Sequence, residues 1–257
     1  MNFSIMSFNI RYNNPQDGIY SWPNRVHAVE ALLEAHKPTI LCTQEGLQAM
    51  LQQVSEMLPK YSLHGSGRMS DGGDEHVAIF VDTTVFKVIS QGQFWLSLDP
   101  DVPGSKSWNT IFPRITTWVV IEGRKEKKRL VIFNVHLDNR KEQARTHGGA
   151  LLRSRMPEIA KAHGVEPGAM ILCGDFNAPP SAPEVTAFCS DADCKLQGCD
   201  SITSGTFHGF RGESSGEAID YILNGPLVSV RNRVVETRQF LEMWPSDHYP
   251  VIAQVEL

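Results

Sequence analysis

Met170-Ile171-Leu172-Cys173-Gly174-Asp175-Phe176-Asn177 is the run on which the reading of this chain turns. A short series of apolar and small residues ends in a glycine, a carboxylate, an aromatic ring and an amide. A short apolar run bounded in this way reads as a strand. Residues 169–174 are therefore assigned to a strand that delivers Asp175 and Asn177 at its end. The same grammar recurs along the chain. A β-branched strand over 130–137 finishes with His136 and Asp138. A short apolar strand over 39–44 runs into Gln44-Glu45, and the alternating residues 3–10 carry Asn9 at their end. Asp220 lies in a strand over 218–223, and Asp247-His248 precede a last strand over 249–256.

Further strands are predicted at 61–66, 76–82, 85–91, 114–122 and 227–236. Three helices separate the early and middle strands. Ser21 to Asn24 supply capping chemistry, with Pro23 near the helix start. Val26, Val29, Leu32 and Leu33 follow at helical spacing, and Pro38 ends the helix. Leu47, Met50, Leu51, Val54 and Leu58 share one face of a second helix, and Lys141 to His163 form the longest. There is no repeat and no low-complexity linker. This order predicts two sheets packed face to face with helices outside, not a purely parallel doubly wound sheet. The loop over 95–109, rich in Pro, Gly and Ser, is the expected mobile or substrate-contacting segment.

The chain has 257 residues and a formal net charge of −5. Its basic residues concentrate only at Arg124–Arg129, between two strands, where a solvated hairpin tip is the plain reading. That balance argues against an enzyme built to hold long nucleic acid. No signal peptide and no apolar run of membrane-spanning length are visible, so a cytoplasmic location is expected. The five cysteines, an odd number, then predict free thiols and no disulfide framework. No HExxH or Cys/His ligand cluster suggests zinc.

Polar residues set repeatedly at the ends of apolar strands predict one convergent site, since strand-end rims form the ligand crevices of α/β sheets. Taken singly, each has a plainer reading. Glu45 suits a helix start, Asn9 and Asn177 suit turns, His136 suits a core, and Asp247-His248 suits a loop. All of these must hold at once for the site to vanish. Gathering Glu45, Asp175, Asp220 and Asp247 creates repulsion that a divalent cation relieves, and oxygen ligands favour Mg2+ or Mn2+. Such an ion polarises a phosphoryl oxygen, while histidines and carboxylates move protons near neutral pH.

The segments Met6-Ser7-Phe8-Asn9, Gln44-Glu45, Asn134-Val135-His136-Leu137, Gly174-Asp175-Phe176-Asn177, Ile219-Asp220-Tyr221 and Ser246-Asp247-His248 occur in this order. Together they resemble the endonuclease/exonuclease/phosphatase superfamily, and the flanking text is similar to a bacterial branch of it. The resemblance implies a four-layer α-β-β-α sandwich of the DNase I type, two mixed sheets flanked by helices, over a single domain of residues 1–257. It implies a metal-dependent hydrolase cutting a phosphodiester or phosphomonoester by in-line attack of water. Glu45, Asn9 and Asp247 would lie at the metal. Asp175 would activate the water, Asn177 and His248 would hold the phosphate, Asp220 would hold His248, and His136 would assist the leaving oxygen. Arg114, Arg68, His208 and Trp95 are the candidate substrate contacts. His76 after Glu75 departs from the pattern, where an apolar or small residue is expected. The substrate would be a small phosphate ester or short nucleic acid, with no membrane and no obligate protein partner. The alternatives are a nuclease or DNA-repair endonuclease and, in another class, a catalytically silent binding module of the same fold.

Overall fold

The computed structural model describes every residue except Asp193 and Ser215. Two mixed sheets face each other. The first has six strands in the order β10-β11-β1-β2-β4-β3. These are β1 (Asn2–Asn9), β2 (Ile40–Gly46), β3 (Tyr61–His64), β4 (His76–Asp82), β10 (Ser229–Val235) and β11 (Val251–Glu256). The second has five strands in sequence order: β5 (Phe86–Trp95), β6 (Ile115–Gly123), β7 (Arg129–His136), β8 (Met170–Asp175) and β9 (Asp220–Asn224). Both sheets are flanked by helices, as expected for a four-layer sandwich.

The alternation of strand side chains builds the layers. Met6, Phe8 and Ile10 face outward from β1 and bury against α1 (Trp22–His36) and α2 (Gln48–Met57), meeting Trp22, Val29, Leu32, Met50 and Val54. Phe3 and Ile5 face the other way, into the core between the sheets, with Ile79, Val119, Ile121 and Phe133. On the far side, α3 (Glu142–Ala162) and α4 (Pro183–Ser190) contribute Leu152, Met156, Val185 and Phe188.

Near the rim the inter-sheet layer turns polar. Asn134 of β7, fully buried, reaches across and donates to the carbonyls of Thr43 and Ala78, both at 2.9 Å. It also accepts from Gln44 Nε2 at 2.7 Å. Three buried groups of the first sheet are thus satisfied by one side chain of the second, which fixes how the sheets sit against each other.

Register then decides which side chains leave together. β1 and β2 are parallel with Asn9 opposite Gln44, so Asn9 and Glu45 exit at one edge. β7 and β8 are parallel with His136 opposite Asp175, and β9 places Asp220 opposite Asp175. Gly174 makes this possible. Its φ is 152°, and a Cβ there would sit 2.1 Å from the Val135 carbonyl oxygen.

Several elements depart from expectation. β5 continues to Trp95, so the irregular segment begins after it, and that segment is tied down. Leu96 N donates to Arg114 O at 2.7 Å, Leu98 N donates to Ser107 Oγ at 3.0 Å, and Trp108 stacks on His147 of α3. The helix α4 was not foreseen. The expectation of free thiols throughout is corrected, because Cys189 is bonded to Cys199. After α4 the chain doubles back, with Leu196 N donating to Phe188 O at 2.8 Å, and this brings Cys199 beside the helix end. Spatial return, which spacing does not reveal, selects the pair. Cys42, Cys173 and Cys194 are free and buried. Among the described residues, no helix is long and apolar enough to cross a membrane.

Candidate active site

Asp175 is the hub of the strand-end rim. Its Oδ2 accepts from Asn9 Nδ2 at 3.0 Å and lies 3.6 Å from His136 Nε2 and 3.9 Å from His248 Nε2. Its Oδ1 accepts from the backbone N–H of Asn177 at 2.8 Å. The second ring nitrogen of His248, Nδ1, is 2.9 Å from Asp220 Oδ2. The other oxygen of Asp220 is buried and accepts no hydrogen bond among the described residues. Asp220 is fixed from behind by Thr206, whose hydroxyl accepts from the N–H groups of Ile219 and Asp220.

The first sheet supplies the other half of the rim. Asn9 Nδ2 also donates to Glu45 Oε1 at 3.0 Å, and Glu45 Oε2 accepts from Tyr12 N at 3.1 Å. Ser246 Oγ donates to the Asn9 carbonyl at 2.7 Å and so carries Asp247 and His248 to the end of β1. Arg11 pairs with Asp17 at 2.9 Å and stands 3.7 Å from Asp247. Behind them Arg25 is fully buried and donates to the carbonyls of Ile10, Pro245, Tyr20 and Arg11. Glu45 and Asn177 hold positive φ, 63° and 50°, as does Arg11 at 52°. Such conformations are costly for residues with a Cβ and gather at functional sites.

Burial and mutual repulsion set the electrostatics. The Asp175 carboxyl is pushed up to about 7, first by burial and then by Asp220. Glu75 rises to about 7 by burial and the charge of Glu45, against the pull of Arg68. Asp247 is raised as well, by burial and by Glu45, although His248 opposes the shift. The two imidazoles diverge. Burial, Arg114 and Arg68 hold His136 well below the ordinary histidine range. Burial would lower His248 too, but Asp220, Asp175 and Asp247 outweigh it and raise it well above that range. The rim thus gathers the carboxylates of Glu45, Asp175, Asp220 and Asp247 with two imidazoles close by. That is the environment a hard divalent cation suits. Asp175, Asp220 and His248 also form a buried cluster whose ligand atoms lie within 4.8 Å of one another, compact enough to hold a metal.

A cleft of about 440 Å³ opens beside Glu45 and His136. Arg68 and Arg114 form its base. Arg114 donates to Asp138 at 3.3 Å and to Asn139 Oδ1 at 3.0 Å. Arg68 grips Glu75 with two bonds of 2.9 Å and reaches Asp74 at 3.2 Å. Of the expected contacts, Arg68 and Arg114 line this cleft; His208 and Trp95 do not. His208 is buried, stacked on Tyr249 at 4.0 Å, and its backbone N–H donates to the Asp247 carbonyl at 2.9 Å. Trp95 is buried too, and its indole N–H donates to the Arg68 carbonyl at 2.7 Å, so it braces the arginine from behind. The Glu75-His76 step is explained by the same loop. Glu75 holds Arg68, and His76 Nδ1 contacts the carbonyls of Gly46 and Asp74, the chain just beyond Glu45.

The order and convergence of these residues have a counterpart in known proteins. Residues 6–248 match the sequence model of the Endonuclease/Exonuclease/phosphatase family. The chain belongs to the endonuclease/exonuclease/phosphatase family. Among solved structures, a mannosyl-6-phosphatase from Bacteroides thetaiotaomicron is 31% identical with a TM-score of 0.90, over 99% of this chain and 100% of that one. An endonuclease/exonuclease/phosphatase family protein from Bacteroides vulgatus is 28% identical with a TM-score of 0.90, over 100% of this chain and 99% of that one. The human Nocturnin catalytic domain, at 19% identity and a TM-score of 0.77 over 99% of this chain and 93% of that one, shares the fold. An uncharacterised protein of Acanthamoeba polyphaga mimivirus is 30% identical over 174 residues, 62% of this chain and 60% of that protein's length. Members of the endonuclease/exonuclease/phosphatase family act on phosphate esters, and phosphoesterase or nuclease chemistry is the class this membership supports.

Proposed function

We propose that this chain is a divalent-metal-dependent phosphoesterase that removes a phosphoryl group from a small polar alcohol, a sugar phosphate above all. The observation that carries the reading is the contact set of Asp175 Oδ2: Asn9 at 3.0 Å, His136 at 3.6 Å and His248 at 3.9 Å. A carboxylate held among one amide and two imidazoles, beside an arginine-based cleft, is equipped to take a proton from water next to a bound anion.

Glu45 and Asp247 would hold the metal with Asn9 close to it, and oxygen ligands favour Mg2+ or Mn2+. The Asp175-Asp220-His248 cluster is the rival site; His248 Nδ1 is held by Asp220 at 2.9 Å, which leaves Nε2 as its metal-binding nitrogen. When bound, the ion would act as a Lewis acid on a phosphoryl oxygen. Asp175 orients water for in-line attack and accepts its proton. His248, charged and held by Asp220, donates a hydrogen bond to a phosphoryl oxygen and balances its growing charge. One N–H of the Asn177 side chain donates to Leu137 O at 3.1 Å, and the second serves the phosphoryl group. His136 stands at the leaving oxygen, and Arg114 and Arg68 supply the standing positive field.

The nuclease reading is disfavoured by where the basic run lies. Arg124–Arg129 joins β6 to the start of β7, whereas His136 ends β7, about 23 Å of strand away. The monoester preference draws on the mannosyl-6-phosphatase similarity.

The test is hydrolysis of p-nitrophenyl phosphate, bis-p-nitrophenyl phosphate, mannose 6-phosphate and plasmid DNA by protein stripped with EDTA and then supplied with Mg2+ or Mn2+. Metal-restored turnover of the monoesters is expected. Diester or DNA cleavage alone would transfer the assignment to a diesterase or nuclease, and inertness with every metal and substrate would favour a silent binding module.

A further inference from the structure

The cleft beside the reactive rim has one wall that the phosphoryl chemistry does not use. Ile111 and Phe112 stand at its edge with 48% and 46% of their surface exposed. Exposed apolar side chains lining a cleft that is otherwise polar mark a binding surface.

Phe112 is not loosely placed. The Arg68 guanidinium lies 4.4 Å from its ring centroid, and that guanidinium is itself locked by Glu75 and Asp74. The ring therefore has a rigid cationic base beneath one face. The chain entering this wall is fixed as well. Trp108 and Asn109 both hold positive φ, 54° and 61°, Trp108 stacks on His147, and Lys106 Nζ donates to the Ile111 carbonyl at 3.1 Å. Two consecutive left-handed residues with side chains are costly, and the surrounding contacts hold them in place. A ring presented so firmly loses little freedom on meeting a ligand.

The same cleft is lined by Asn139 and Arg140. Asn139 gives its carbonyl oxygen to Arg114, which leaves its N–H pair for an incoming acceptor. The Arg140 guanidinium has no carboxylate partner among the described residues and sits exposed at the rim.

We propose that Phe112, with Asn139 and Arg140, forms a subsite for the polyhydroxylated ring of a sugar phosphate, the C–H face of the sugar lying on the aromatic ring and its hydroxyls meeting the amide and guanidinium. This rests on the reading of the adjoining rim as a phosphoesterase site. A stacked nucleobase within a polynucleotide fits less well. The cleft is lined by as many carboxylates as arginines, Glu45, Asp74, Glu75 and Asp138 against Arg11, Arg68, Arg114 and Arg140, so it offers no continuous basic track for a chain of phosphates, whereas one phosphoryl group at the arginine base is accommodated.

The test compares Phe112→Leu, which keeps apolar bulk without a π face, and Phe112→Tyr, which keeps the face. Initial rates are measured with mannose 6-phosphate, glycerol 3-phosphate and adenosine monophosphate. Phe112→Leu is expected to lower the ratio of kcat/KM for the hexose ester to that for the glycerol ester by about tenfold, the size of one aromatic contact, through KM. Phe112→Tyr is expected to retain the wild-type ratio. In parallel, mannose 6-phosphate is titrated calorimetrically into Asp175→Asn with Phe112 intact and with Phe112→Leu, so that binding is read without turnover. A Phe112-dependent Kd supports the subsite even if the wild type hydrolyses none of the esters, an outcome that would sink only the phosphoesterase reading. Equal losses on both esters, a loss confined to adenosine monophosphate, or a Kd indifferent to Phe112 would each overturn the subsite.

Discussion

Asn134→Leu tests whether the polar bridge between the sheets holds the molecule together. The substitution is close to isosteric and removes the donor to two carbonyls, Thr43 and Ala78, and the acceptor for Gln44 Nε2. All of these groups belong to residues that are fully buried. A buried polar group stripped of its partner costs about 1–3 kcal/mol. Gln44 keeps a weak contact with Ser7 Oγ at 3.4 Å, so its share falls at the low end. The three together amount to about 3–7 kcal/mol, and the apolar surface gained with leucine offsets about 1 kcal/mol. A net loss of about 2–6 kcal/mol is a large part of the about 5–15 kcal/mol that holds a typical domain folded. Equilibrium unfolding in urea, followed by tryptophan fluorescence and circular dichroism, reads this as a lower midpoint at unchanged slope. A midpoint shift worth less than about 1 kcal/mol would refute the bridge as the element joining the sheets.

Asp175→Asn and His248→Ala are each expected to lower kcat by about a thousandfold or more while the circular dichroism spectrum is retained, and near-wild-type turnover in either would remove the assigned role. Glu236, held by Arg238, is depressed from 4.5 to about 2, so its stabilising contribution is present above pH 4.5 and lost as pH falls toward 2. Glu236→Gln should flatten the fall in thermal midpoint across that window, and an unchanged slope would contradict the pairing. Cys189 and Cys199 are 10 residues apart, so opening their bond should cost about 3 kcal/mol. Dithiothreitol should lower the unfolding midpoint of the wild type and leave Cys199→Ser unaffected; an equal response from both would argue against the bond.

Much of the rim was legible because strands export their terminal residues. Asn9, Glu45, His136 and Asp175 stood at the ends of apolar runs, and parallel register brings them together in pairs. What stayed hidden depends on how loops fold back. The hold on Arg68 is one case: the bridge between Gly67 and His76 closes its loop and brings Glu75 to the guanidinium, while Asp71 accepts from Gly73 N at the tip. Thr206 is far from Asp220 in sequence and carries no motif, so its role as the hydroxyl that fixes Asp220 could be seen only in space. Phe112 was passed over for a related reason. A single apolar residue in a loop has no periodicity, and only its exposed face beside the arginines distinguishes it. Trp95 was expected to contact substrate, yet it is buried behind Arg68.

The buried Arg25 sets a positive charge beneath the acid-rich end of the sandwich. It is tethered to carbonyls only, so no touching anion quenches it, and Glu45, Asp17 and Asp247 feel its field from a distance. That built-in counterweight offsets part of the repulsion among the carboxylates gathered at this end of the sandwich.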